Sequence, residues 1–263
     1  MFHRLSGVLF VFVLLFITPS ALTAADNNSV LAQIQKRGQL ILGTSGNMPP
    51  MTRQLDSGSV VGFDIDLAQM MAQAMGVKLV IKVLPFKELI PALESNKVDV
   101  VLSNMTVNPS RNMQVAFVGP YLTSGKCVVT KKATLANAKK ATEIDAKKPK
   151  VVVLEGSTSE AFAKIMMKNS TVIAVKDNKA GAKMVADNKA DALLSDMVIC
   201  QAIVNSHPEA GFIAINSSLT YEPIGIALSG NDALFINWTD NFLKRLDATG
   251  FLQALGKKWL ANP

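Results

Sequence analysis

Short β-branched or apolar runs recur along the chain at 39–43, 78–83, 98–102, 151–154, 171–175, 190–194, 212–215 and 224–228. Between most of them lie stretches such as 65–75, 89–95, 160–167 and 180–188, where apolar residues return every three or four positions, the period of a helix with one buried face. Strand alternating with helix predicts an α/β architecture with largely parallel sheets. Two further helices are expected over 232–246 and 251–260, separated by Gly250. A Lys-, Ala- and Thr-rich segment, 131–150, divides a Met-rich first part from a second strand–helix series, and no repeat of solenoid period is present.

The N-terminus departs from this rhythm. His3 and Arg4 precede an uncharged apolar run, 5–17, which leads through Thr18-Pro19 to the small-residue stretch Ala21-Leu22-Thr23-Ala24-Ala25. The run falls short of the ~20 residues of a membrane-spanning helix. Its three-part layout predicts a signal peptide over residues 1–25, cleaved to leave Asp26 first, and hence an exported, soluble protein. No Cys lies near the cut, which disfavours a lipid anchor.

Composition narrows the chemistry. With 263 residues, 49% hydrophobic, and a mean hydropathy of +0.27, the chain supports a well-packed core and has room for two lobes. Only two His are present, His3 in the leader and His207 before Pro208, so a His-rich metal centre and His-based acid–base chemistry are not expected; no cofactor and no metal are expected either. The formal charge of +7 falls by one when Arg4 is removed. Its densest basic cluster, Lys131-Lys132, Lys139-Lys140 and Lys147-Lys148-Lys150, has no interleaved aromatics and belongs to an exported chain, which argues against nucleic acid as a partner. Cys127, in the strand-like Cys127-Val128-Val129, and Cys200, in the helical stretch 197–204, are an even pair in an oxidising compartment. A disulfide and two buried free thiols both remain open at this point.

Local chemistry is concentrated at helix starts. In Gly62-Phe63-Asp64-Ile65-Asp66-Leu67 the two acids read as capping groups near the positive end of a helix dipole. A more informative stretch runs Ser103-Asn104-Met105-Thr106-Val107-Asn108-Pro109-Ser110-Arg111. A strand ends at Ser103, a polar turn presents Asn104 and Thr106, and Asn108-Pro109 opens a short helix with Arg111 in its first turn. A guanidinium beside free backbone N–H groups and a Thr hydroxyl forms a carboxylate receptor, although a single Arg is more often a surface ion-pair partner.

Several motifs, taken together in order and spacing, resemble the family 3 solute-binding proteins, the periplasmic amino-acid-binding components of ABC importers. They are Gly62-Phe63-Asp64-Ile65-Asp66-Leu67-Ala68, Leu89-Ile90-Pro91-Ala92-Leu93, the stretch 99–111, Phe117-Val118-Gly119-Pro120-Tyr121, Gly156-Ser157-Thr158-Ser159-Glu160 and Ala190-Asp191-Ala192-Leu193-Leu194-Ser195-Asp196. The resemblance implies a type II periplasmic-binding-protein fold, two mainly parallel α/β sheets joined by two hinge strands. Lobe 1 would comprise 26–125 and 219–263 and lobe 2 residues 126–218, with crossings near Ser124-Gly125 and Ser218-Leu219.

By the same resemblance, Arg111 grips a ligand α-carboxylate with Thr106 as hydroxyl partner, Ser103 and Asn104 present backbone groups, Ser157 and Thr158 complete the cradle from lobe 2, and Asp196 pairs with the α-ammonium. A solvated helix cap is the alternative for Asp196. Met48 stands where many relatives carry an aromatic, Phe86 matches the other wall of the side-chain site, and Ser45 replaces an acid often found in binders of cationic amino acids, which points to a neutral or apolar ligand side chain. The implied partners are an amino acid as a small-molecule ligand and an ABC permease, with the protein a monomer and not an enzyme. The alternatives are a periplasmic prephenate or arogenate dehydratase on the same scaffold and an amino-acid sensor.

Overall fold

A computed structural model describes residues 29–215 and 220–260. The expected signal peptide, 1–25, and the expected crossing at Ser218-Leu219 lie outside the described residues. Strand Gln39–Thr44 pairs in parallel with Lys78–Val83 on one side and with Val100–Val101 on the other. Antiparallel Glu222–Leu228 then joins Val100–Val101 to the edge strand Ala116–Ser124, completing a five-stranded sheet. A second five-stranded sheet runs in the order Thr171–Val175, Lys150–Leu154, Ala192–Asp196, Lys126–Thr130, Ile213–Ile215. Its first three strands are parallel, and Lys126–Thr130 is antiparallel to both neighbours. Both sheets are therefore mixed, each with one reversed strand among co-directional ones, in a two-lobed α/β fold.

The reason the central strands read as continuous apolar runs is that they are covered on both faces. Val152 and Leu154 belong to the large hydrophobic cluster, while Val151 and Val153 point to a smaller one with Leu135, Ile144 and Ala163. Helices Phe63–Ala74 and Leu89–Glu94 form crossovers of the first sheet, and Thr158–Met166 and Asn178–Ala186 those of the second. The C-terminal helices Ala233–Ala248 and Phe251–Trp259 return to the first unit. There the Lys258 Nζ and Trp259 Nε1 donate to Asp66 at 2.6 and 2.7 Å, and Asp232 caps the first C-terminal helix by accepting from Phe235 N at 2.9 Å.

Three features differ from the sequence expectation. The edge strand Ala116–Ser124 contains Gly119-Pro120, which breaks the apolar signal; the edge is where a residue without an N–H is tolerated in a sheet. A helix, Val30–Arg37, opens the described chain with Ser29 as its cap. Most informatively, Asp64 is not a cap: the cap position of Phe63–Ala74 is Gly62, with φ 143°, and no side chain caps it. A Cβ there would lie 2.1 Å from Met51 O, so the chain passes too close for any other residue. The Asp64 carboxylate turns inward instead, as described below.

Cys127 and Cys200 are joined in a disulfide, with Cα atoms 6.5 Å apart. The bridge fastens strand Lys126–Thr130 to helix Met197–Ser206, one residue and four residues beyond two charged side chains of the candidate site.

Candidate functional site

The two sheets present loops to each other across a polar seam. Ser103, at the end of the first unit's central strand region, donates its hydroxyl to Ser45 Oγ at 2.9 Å and accepts from Ser45 N at 3.0 Å, pinning two strand-end turns together. Asn104 follows with φ 48°, an orientation that Asn adopts more readily than most residues. Its N–H donates to Asp64 Oδ2 at 2.7 Å, and Tyr121 OH donates to Asp64 Oδ1 at 2.8 Å. Asp64 thus braces the turn from behind. Burial pushes its pKa up from 3.8 to about 7, against the opposing pull of the Tyr121 and Asn104 hydrogen bonds.

Asn108 accepts from Arg111 N at 2.9 Å and Pro109 occupies the first helical turn of Pro109–Asn112, the start that the sequence predicts. The Arg111 guanidinium is buried and lies 5.5 Å from the centroid of the Phe86 ring. Its Nη1 donates to Thr106 O at 2.8 Å and its Nη2 to Gly156 O at 3.2 Å, one carbonyl from each sheet unit. Desolvation lowers its pKa to about 10, with Asp196 and Glu222 acting the other way, so it stays charged at neutral pH.

Facing it, Ser157 caps helix Thr158–Met166. Its hydroxyl accepts from Glu160 N at 3.2 Å, while the Glu160 carboxylate accepts from Gly156 N, one residue before the cap, at 2.7 Å. The Thr158 and Ser159 N–H groups have no acceptor inside the helix. Thr158 Oγ1 is 3.4 Å from Thr106 Oγ1 across the seam. Asp196 occupies the cap position of Met197–Ser206, yet its side chain makes no capping bond. It is buried and accepts from Asn104 Nδ2 at 2.7 Å. The Asn104 Oδ1 on the same amide is buried without a hydrogen-bond partner among the described residues. Met48 is buried in the large hydrophobic cluster, beside Asn47, whose amide reaches Lys176 O at 3.5 Å in the other unit.

The seam therefore gathers Ser103, Asn104, Thr106, Arg111, Phe86, Ser157, Thr158 and Asp196. The sequence reading missed two members. Lys126 Nζ, fully buried, contacts Asp196 Oδ1 at 2.5 Å, Thr158 Oγ1 at 2.6 Å and Glu222 Oε2 at 3.1 Å. Glu222 also accepts from Thr158 and Thr220 at 3.0 and 2.8 Å. Desolvation raises its pKa, but Lys126 and the Thr220 and Thr106 hydroxyls outweigh it, so the pKa is lowered. The signal in the sequence was slight: Lys126 directly precedes Cys127-Val128-Val129 in a wholly buried strand, a place where a charge needs a partner.

Two α/β units meeting at a buried Arg, an open helix N-terminus and a paired carboxylate have the architecture of a two-lobed solute-binding protein. Residues 40–262 match the bacterial extracellular solute-binding proteins, family 3, and the chain belongs to that family. It is a periplasmic solute-binding protein, and that membership assigns it to solute capture rather than catalysis. It is 27% identical to a cyclohexadienyl dehydratase of Pseudomonas aeruginosa over 88% of this chain and 86% of that protein. It is 29% identical to the arginine-binding extracellular protein ArtP of Bacillus subtilis over 92% of this chain and 93% of that protein. Among solved structures, the ancestral amino acid-binding protein AncCDT-1, a precursor of cyclohexadienyl dehydratase, superposes with a TM-score of 0.80 at 32% identity, covering 88% of this chain and 99% of that one.

Proposed function

We propose that the protein captures an amino acid in the periplasm, by closure of lobe 1 (26–125 and 219–263) onto lobe 2 (126–218), and delivers it to an ABC permease. The observation that carries the reading is Arg111. A buried guanidinium that spends only part of its N–H donors on Thr106 O and Gly156 O keeps the rest for a carboxylate, and the Thr158 helix start adds backbone donors nearby. Across from it, the group Lys126, Asp196 and Glu222 carries one negative charge in excess, so a zwitterion leaves the seam balanced. Relatives whose names specify arginine, cystine or histidine binding support an amino acid as the ligand class.

For the side chain, Met48 and Phe86 with Ser45 in place of an acid favour a neutral or apolar group. The Ser45 hydroxyl accepts from the Ser103 hydroxyl. The test is a thermal-shift screen of the common L-amino acids on protein refolded to strip carried-over ligand, since a ligand that binds only the native state raises Tm. A neutral amino acid should give the largest shift. Arginine or lysine giving the largest shift would overturn the side-chain class and leave the amino-acid reading, whereas no shift with any of them would overturn both.

A further inference from the structure

An amino-acid ligand presents a primary ammonium, and in this seam a primary ammonium is already supplied by the chain. Lys126 Nζ has three N–H bonds, and three acceptors lie within reach: Thr158 Oγ1 at 2.6 Å, Asp196 Oδ1 at 2.5 Å and Glu222 Oε2 at 3.1 Å. The second oxygen of Asp196 takes the Asn104 amide at 2.7 Å. Asp196 is therefore satisfied by the protein alone. In a site whose carboxylate had no such cation, a ligand lacking an ammonium would leave a buried charge unpaired, and that penalty would reject it. Here a ligand without an ammonium leaves Asp196 still paired, and the one negative charge in excess is shared between Asp196 and Glu222 around Lys126 instead of resting on a lone carboxylate.

We propose that Lys126 is a specificity-determining residue that relaxes the requirement for an α-ammonium, so that the protein takes 2-hydroxy acids alongside the corresponding amino acids. A second observation favours the hydroxy acid over other deaminated analogues. Asn104 Oδ1, on the amide that holds Asp196, is a buried acceptor with no partner among the described residues. It needs a donor, which an ammonium or a hydroxyl provides and a keto oxygen does not. The proposal rests on the reading of Arg111 as the carboxylate receptor.

The experiment uses calorimetry on the refolded, ligand-stripped protein with L-leucine, L-methionine, L-glutamine and L-arginine, each paired with its 2-hydroxy acid. For the tightest pair, the hydroxy acid is expected to bind within tenfold of the amino acid. Lys126→Gln should raise the amino-acid preference at least tenfold by freeing Asp196 for the ligand, and Lys126→Arg should keep the preference near that of the wild type. The double variant Lys126→Gln/Glu222→Gln removes one charge of each sign. It therefore reports the same rise in preference from a folded protein if the single variant is unstable. A merely structural role for Lys126 would weaken both ligands equally. A wild-type preference for the amino acid above tenfold, or a preference unmoved in the variants, overturns the inference and leaves the amino-acid reading standing. Binding of neither member of any pair overturns that reading itself.

Discussion

Replacing Asp64 by Asn removes a buried charge while keeping the shape of the brace behind Asn104. The Asn oxygen can still accept from the Asn104 N–H, and its amide can donate to Tyr121 OH, which then turns acceptor. In the wild type the carboxyl has a folded-state pKa of about 7 against an ordinary 3.8, with burial as the leading cause. At ~1.4 kcal/mol per pK unit, that difference corresponds to on the order of 4 kcal/mol of folding free energy, undiminished by solvent because the group is wholly buried. The folded state binds the proton more tightly than the unfolded state, so the favourable contribution is complete below the unfolded pKa. It declines as pH rises from about 4 and is gone once pH passes about 7. Urea unfolding of wild type and Asp64→Asn at pH 4.5, 6 and 8, values chosen at roughly even spacing across that window, isolates the effect as the difference between the two proteins. The wild type should lose stability relative to the variant as pH rises, with Asp64→Asn the more stable by pH 8. A difference that stays constant across this range, or grows in favour of the wild type, would refute the assignment of Asp64 as a buried, readily protonated brace.

Arg111→Ala should weaken ligand binding by at least ~3 kcal/mol in calorimetry, because the ligand carboxylate stays desolvated without its partner, and Arg111→Lys should recover little of it since an ammonium cannot reproduce the fork; unchanged affinity in either variant would remove Arg111 from the site. Reducing the Cys127–Cys200 bridge, or replacing both by Ala, closes no loop across 73 residues in the unfolded chain and should cost about 2–4 kcal/mol in urea unfolding. Gly156→Ala combines a φ of +76° with a Cβ only 2.8 Å from Lys87 Cβ in the facing unit. The backbone strain should cost about 1–2 kcal/mol of folding stability, and the Lys87 clash should weaken ligand binding in addition, so that unchanged affinity beside a lowered Tm would place the whole effect inside one lobe instead of at the seam.

The parts of the site that are local in sequence were legible in it. Asn108-Pro109 followed by Arg111 is a helix start whose geometry depends on adjacent residues, and the start capped by Ser157 is likewise held by bonds among residues 156–160. The strands Lys78–Val83 and Thr171–Val175 appeared with the expected bounds because their apolar runs are bounded by turns, even though both lie at sheet edges and are only partly covered. The edge strand Ala116–Ser124 did not, since Gly119-Pro120 erases the periodic signal and only its place in the sheet makes it a strand.

The sequence by itself determined that this chain alternates strand and helix, and where the helix start that carries Arg111 would stand, because each follows from neighbours a few residues apart. Tertiary structure alone decided what the isolated charges do. Asp64, two residues from Asp66 at a helix start, has the local pattern of a cap, but Tyr121 and Asn104, 57 and 40 residues away, draw it inward. Lys126 is one of 27 basic residues, and only the apolar Cys127-Val128-Val129 beside it hints at burial. Its partner Asp196 lies 70 residues on, brought to it by the antiparallel register that sets the two residues opposite each other. A buried charge is tolerable only where folding assembles its partners, and partners so distant in the chain leave no periodicity to read.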